Sequence, residues 1–223
     1  MQLDELHSFT RITEASLLRN SPFYDKKAYA NQQYYARFSD TMLGTAVDPI
    51  DGRRHHPLDL DVSQTTYAWP DSFTQQFVIV ELWIKNISDQ LKRPHPVSNF
   101  VLGVFMDYDI FNKLSAGLTG TFEDDISGFL VSDTNLLCGA ARDPLNVAWA
   151  ADNDGDPKGG KFPFTSNHGI LGIRFLAAPP TKGMSFNWWT LSDPEWGPAK
   201  VASGDPVGIP NGDRRAYYLI ANR

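Results

Sequence analysis

The residues best placed to do chemistry in this chain are carboxylates at the end of an apolar run. Asp107-Tyr108-Asp109 follows directly on Phe100-Val101-Leu102-Gly103-Val104-Phe105-Met106. A denser group, Asp152-Asn153-Asp154-Gly155-Asp156, follows Val147-Ala148-Trp149-Ala150-Ala151. Side chains alternate with a period of two along a strand, so Asp107 and Asp109 leave the chain on the same side. Carboxylates held side by side repel unless water or a cation lies between them. Oxygen ligands of this type suit a hard cation, calcium first. Glu123-Asp124-Asp125 adds a third acidic group. The expected metal ligands are therefore Asp107, Asp109, Asp124, Asp125, Asp152, Asp154 and Asp156. The group at 152 opens like an EF-hand loop, but Pro157 stands at the sixth position and Pro163 at the twelfth, so it is not one. Two readings stay open for it. One is a divalent cation held by separate loops; the other is solvated turns, where Asp, Asn and Gly are favoured for backbone reasons alone. The pair at 107 and 109 leans further towards a cation, because Asp is disfavoured beside such an apolar run.

Other chemistries find less support. Glu81 is a charge within the apolar run 77–84, and a carboxylate there suits glycoside hydrolysis only with a second one across a cleft. An outward-facing position on a solvated sheet face explains it more simply. Trp188-Trp189 and Trp196, with Tyr108, form an aromatic set that could stack on sugar rings, so Trp188, Trp196 and Tyr108 are the expected ligand-binding residues. Adjacent tryptophans in a strand face opposite ways, which assigns one of them to packing. The histidines are His7, His55, His56, His95 and His168, and they fall into no H-E-x-x-H or H-x-E pattern. There is no G-x-S-x-G elbow, and the glycines at 155–160 lack the following Ser or Thr of a phosphate-binding loop.

The elements that must position these residues read as strands. Leu58, Leu60 and Val62 alternate with Asp59, Asp61 and Ser63, which predicts a half-buried strand running towards Trp69, its polar residues on the solvent side. A second strand is expected over 77–85, a third over 100–106, and others over 128–132, 147–151, 169–176, 184–191 and 216–221. Pro94 and Pro96 interrupt regular sheet between the second and third. Segment 1–48 has the weakest pattern; a short helix over 3–18 fits the 3.6-residue period poorly. With 17 glycines and 15 prolines between short apolar runs, the economical architecture is all-β. We expect an antiparallel two-sheet sandwich, jelly-roll-like, over 49–223, with 1–48 an irregular segment packed on it, and one domain overall.

Composition narrows the partners. The net charge of −6 and the absence of a basic stripe exclude nucleic acid as a favoured partner. No apolar run approaches the ~20 residues needed to span a bilayer, so membrane insertion is not expected. The single Cys138 excludes an intrachain disulfide and thiolate zinc sites, and its flanks read as a small buried hydrophobe.

Taken in order, several segments resemble a bacterial secreted or cell-surface β-sandwich module found in large multidomain extracellular proteins. They are Arg54-His55-His56-Pro57-Leu58-Asp59-Leu60-Asp61-Val62 with Tyr67-Ala68-Trp69, the run from Phe77-Val78-Ile79-Val80-Glu81 to Asn86, and Val104-Phe105-Met106-Asp107-Tyr108-Asp109. Ala150-Ala151-Asp152-Asn153-Asp154-Gly155-Asp156, Phe186-Asn187-Trp188-Trp189, Trp196-Gly197-Pro198 and Gly212-Asp213 with Tyr217-Tyr218 complete the pattern, over roughly 50–222. The resemblance implies a secreted or cell-surface location and no catalytic residues. With the lack of a complete catalytic constellation, it favours an accessory, adhesion or glycan-binding module whose partners are polysaccharide or neighbouring domains, and the acidic groups above add the expectation that calcium stabilises it. The first residues carry no export signal, and the chain stops just after an expected strand, as a fragment of a longer protein would. The alternatives are a carbohydrate-active enzyme on a sandwich scaffold and a purely structural spacer.

Overall fold

Short apolar alternations separated by turn residues fold here into seven antiparallel strands in two sheets. The computed structural model describes residues 11–44, 47, 49, 52–106, 108, 110, 125–131, 146–153, 155, 160–162, 169–177, 185–188, 217, 220 and 221. The chain divides into two compact units, Met1–Phe100 and Val101–Arg223. No helix among the described residues is long and apolar enough to cross a membrane.

The first unit is a meander of β1 (Arg11–Ala15), β2 (Gln32–Asp40), β3 (Leu60–Ala68) and β4 (Ile79–Asn86), in that spatial order. The register sets Tyr35 beside Thr65 and Thr65 beside Glu81, and cross-strand partners share a face. One face therefore carries Ala36, Phe38, Leu60, Val62, Leu82 and Ile84. The other carries Tyr35, Arg37, Asp61, Ser63, Thr65, Tyr67, Glu81, Trp83 and Lys85. On the polar face Arg37 makes a two-pronged ion pair with Asp61, at 2.8 Å from each carboxylate oxygen. Among the described residues no further strand joins this sheet beyond β4.

One end of the sheet is tied by a buried ion pair. Asp59, just before β3, is fully buried and has a left-handed backbone, φ 52°. Arg93 grips it with Nε, 2.7 Å from Oδ2, and with Nη2 on Oδ1. The same Nη2 donates to the Thr41 carbonyl at 2.7 Å, and the Ile87 amide donates to the Asp59 carbonyl at 2.8 Å. One guanidinium thus fastens the exit of β2, the entry of β3 and the loop after β4. Asp40 adds a second tie, accepting from His55 Nε2 and from the Leu58 amide, both at 2.8 Å.

The second unit holds β5 (Ile126–Leu130), β6 (Val147–Ala151) and β7 (Ile170–Arg174), with β6 central. Gly128, Trp149 and Gly172 lie in one cross-strand row. A Cβ added at Gly128 would stand 2.5 Å from Trp149 Cζ2, so the indole occupies the space a side chain would need. Ala150, on the opposite face, is fully buried, and Phe129 on that face stacks on Phe186 with centroids 5.5 Å apart.

Several sequence expectations change. Segment 1–48 is not irregular and is not helical over 11–15: it supplies β1 and β2, because ladder pairing with β3 overrides a sequence rich in polar residues. Residues 100–106 join neither sheet, and Gly103 instead receives the Ile220 side chain, 2.8 Å from where its Cβ would be. Residues 185–188 are not strand, and Tyr217 and Ile220 are helical, with the Ala221 amide donating to the Tyr217 carbonyl at 2.8 Å. Asp59 is the sharpest departure. Alternation placed it with Asp61 on the solvent side, whereas its left-handed φ turns it inward onto Arg93.

Two substitutions test these packing statements. Removing one partner of a buried ion pair leaves an uncompensated charge, at a typical cost of about 3–5 kcal/mol. Because the Arg93 side chain keeps 29% exposure, water can reach the site, and Arg93→Ala should cost about 3 kcal/mol in urea unfolding. Gly128→Ala should cost about 1–3 kcal/mol by forcing Trp149 from its place, visible as a shift in tryptophan emission. An unchanged midpoint for either variant would contradict the packing described.

Candidate functional site

Two of the acidic residues singled out by sequence, Asp125 and Asp152, lie at the end of the β5–β6 ladder. Ile126 pairs with Ala151, so the next step outward sets Asp125 across from Asp152. Side chains opposed in this way have Cβ atoms roughly 4.5–5.5 Å apart. Asp125 Oδ2 accepts from the Ile110 amide at 2.9 Å, and Asp152 Oδ1 accepts from the Gly155 amide at 2.6 Å. The other oxygens, Asp125 Oδ1 and Asp152 Oδ2, are buried. The Ile110 contact has a topological meaning: it draws the chain immediately after 107–109 onto the carboxylate at 125. Chain from Ile110, from Asp125 and from Asp152 is thereby linked at one ladder end. Gly155, with φ 71°, gives the left-handed turn that brings its amide back to Asp152.

Asp107, Asp109, Asp124, Asp154 and Asp156 lie outside the described residues, as does Trp196. Among the described residues no three His, Cys, Asp or Glu side chains form a metal-binding group. Asp125 and Asp152 are the members of the expected set whose positions are described, and the fold makes them neighbours. Trp188 is 36% exposed and Tyr108 half-buried.

Glu81 sits on the polar face of the first sheet and is exposed, accepting from the Tyr67 hydroxyl at 2.9 Å. The other carboxylate on that face, Asp61, is opposite Lys85, four residues further along β4. Strand rise puts the two Cα atoms roughly 14 Å apart. That exceeds the ~5–10 Å between carboxyl groups that glycoside hydrolysis uses. Asp61 is moreover engaged by Arg37.

Around Glu81 the face is aromatic. Tyr67 and Trp69 stack with centroids 6.2 Å apart and 14° between planes, and Phe77 tilts against Trp69 at 6.3 Å. The Tyr35 hydroxyl lies 3.2 Å from Ser63 Oγ, and Trp69 Nε1 donates to the Tyr29 carbonyl at 3.2 Å. Trp83 is 70% exposed. Sequence reasoning looked for an aromatic platform at 188 and 196 and passed over this one. Its signal was present as aromatic residues at i and i+2, Tyr67 and Trp69, with Phe77 just before the next strand and Trp83 within it.

A polar cluster was also missed. His95 Nδ1 lies 3.0 Å from the Arg93 carbonyl and 3.7 Å from Asp59 Oδ2. Both are acceptors, so Nδ1 carries the proton in the neutral ring and Nε2 keeps its lone pair. Leu43, His56, Pro57, Asp59, Arg93 and His95 line a shallow depression of about 300 Å³ there. Most of its polar atoms are already committed to the ties that fasten the sheet end.

No protein-family model, curated protein or solved structure matches this chain.

Burial, and after it the hydrogen bond to Glu81, hold the Tyr67 phenol above its ordinary range. A phenol raised in this way favours the folded state as long as it is neutral. Its contribution is complete below the usual tyrosine range and is lost as pH rises through the raised value. Glu81→Ala should move one of the eight tyrosine transitions downward in an absorbance titration, and Tyr67→Phe should delete that same transition. Identical titration curves for Glu81→Ala and wild type would show that the bond to Tyr67 is not formed in solution.

Proposed function

We propose that this chain is a non-catalytic extracellular β-sandwich module, stabilised by calcium, that acts in adhesion or glycan attachment within a larger secreted or cell-surface protein. The observation that carries the reading is the register placing Asp125 beside Asp152, with the segment after Asp107-Tyr108-Asp109 hydrogen-bonded to Asp125. Two carboxylates on adjacent strand ends would supply part of the oxygen shell of a hard cation. Asp107, Asp109, Asp124, Asp154 and Asp156 are near in sequence and supply the remaining oxygens in this proposal. The ion would neutralise the acidic strand end and join segments from three parts of the second unit, in the manner of a cross-link.

The apolar face of the first sheet, with Val62, Leu82 and Ile84, needs an apolar cover, which supports the layered sandwich reading. The resemblance of the ordered motifs to bacterial surface modules supports the location.

A ligand that binds only the folded state stabilises by mass action, about 2.7 kcal/mol at one hundred times Kd. For a chain of this size that corresponds to a rise of about 5–10 °C in melting temperature. Calcium should produce such a rise, and EDTA should reverse it. The double variant Asp125→Asn, Asp152→Asn keeps an acceptor for the Ile110 and Gly155 amides but removes both charges. It should show no calcium response while melting in EDTA no lower than wild type. Equal melting curves of wild type in calcium and in EDTA would sink the calcium part of the proposal.

A further inference from the structure

We propose that the polar face of the first sheet is the binding surface, and that its ligand is a neutral polysaccharide chain. This rests on the module reading above and specifies its contact surface, which lies in the unit that does not hold the acidic ladder end. Tyr35, Tyr67, Glu81 and Trp83 share this face by ladder register, and Trp69 and Phe77 adjoin it through their ring contacts with Tyr67 and with each other. Ala15 and Ile79 are the aliphatic residues that the paired strands contribute to it.

Three features select a sugar polymer. The first is preorganisation. Tyr67 is held by Glu81, Tyr35 by Ser63 and Trp69 by the Tyr29 carbonyl, so rings that would otherwise lose rotamer freedom on binding are already fixed. The second is the mixture of functions. A sugar ring presents C–H groups on its faces and hydroxyls at its rim. It therefore needs an aromatic surface with acceptors and donors beside it, and Glu81 Oε2 is engaged by Tyr67 while the exposed carboxylate has further acceptor capacity. The third is extent. Phe77, two residues before β4, and Trp83 within it are six residues apart, roughly 20 Å for extended chain. An open row of that length suits an oligosaccharide stretch rather than a monosaccharide.

Charge sets the class within the sugars. Arg37 and Asp61 neutralise one another on this face, and Lys85 is balanced in formal charge by Glu81, so its described side chains give uronates or sulfated chains no net positive charge. The net charge of −6 adds a long-range penalty against polyanions.

Isothermal titration of the whole chain with cellohexaose, xylohexaose and mannohexaose, and with hexagalacturonate as the charged comparison, tests the proposal. At least one neutral hexasaccharide should bind, its monosaccharide should not compete, and hexagalacturonate should be silent. Trp83→Ala should weaken binding roughly three- to tenfold, as expected for the loss of one aromatic contact, without changing the melting temperature. Glu81→Ala should weaken it as well, and Glu81→Gln should restore part of the loss, because the amide oxygen still accepts from Tyr67. Tyr34→Ala, on the opposite face of the same sheet, should bind like wild type. The inference is overturned if none of the neutral hexasaccharides binds, or if Trp83→Ala binds as wild type does. It is also overturned if Trp188→Ala alone abolishes binding, a result that would leave the module reading standing. The calcium-dependent melting shift reads the other unit, so its absence with glycan affinity intact removes the ion and keeps the face.

Discussion

The first unit depends on one guanidinium. Arg93 neutralises a carboxylate with no solvent exposure, and its remaining donor capacity reaches the carbonyl of Thr41. A charge so deeply placed would be very costly alone. Paired, it specifies geometry, because the fork of Arg93 accepts Asp59 in one orientation and that orientation requires a left-handed backbone at the entry of β3. The strained conformation and the ion pair therefore imply each other. The loop that carries Arg93 is secured in turn by Ser88 and Asn86, whose Oγ and Nδ2 donate to the His95 carbonyl at 3.1 and 2.9 Å. With this end fixed, the ladder from Asp40 through Leu60 to Asn86 has its register set, and everything displayed on either face follows.

What could be read directly from sequence is what depends on local periodicity. β3, β4, β6 and β7 announce themselves through alternation or a short apolar run such as Val147-Ala148-Trp149-Ala150-Ala151, and all of them form. β2 did not, since Gln32-Gln33-Tyr34-Tyr35-Ala36-Arg37-Phe38-Ser39-Asp40 shows no clean apolar face until its partner is known. The run 100–106 misled in the opposite sense: seven strand-like residues, with Gly103 set aside for the Ile220 side chain instead of a ladder. Asp59 shows the limit most plainly. Two neighbouring aspartates in the same alternation, 59 and 61, end with 1% and 16% side-chain exposure because one backbone angle differs and one arginine is thirty-four positions away. No window of sequence contains that information.

The two candidate sites differ in the same respect. The acidic groups were visible as composition, yet setting Asp125 across from Asp152 required the β5–β6 register, and tying Ile110 to Asp125 required a hydrogen bond across fifteen positions. The aromatic face was hidden for a simpler reason. Its residues are scattered over three strands, and each alone reads as ordinary sheet packing. Only the ladder shows that Tyr35, Tyr67 and Trp83 have the same parity. A carboxylate that seemed a lone catalytic candidate becomes, in that setting, the hydrogen-bonding partner of a tyrosine.

The outer margin of β4 bears on how this molecule can be handled. Its backbone pairs with β3 on one side, and in the described sheet nothing pairs on the other. The strand is long and free of proline, with Glu81 and Lys85 as its charged residues. Edges of this kind recruit extended chain from whatever is near. A crystallographer trimming the protein after Phe100 would isolate this margin with no companion. The colloidal behaviour of such a fragment, its dependence on concentration and its tendency to pass from clear solution to fibrous precipitate, would be governed by eight residues of backbone rather than by the face that carries the aromatic rings.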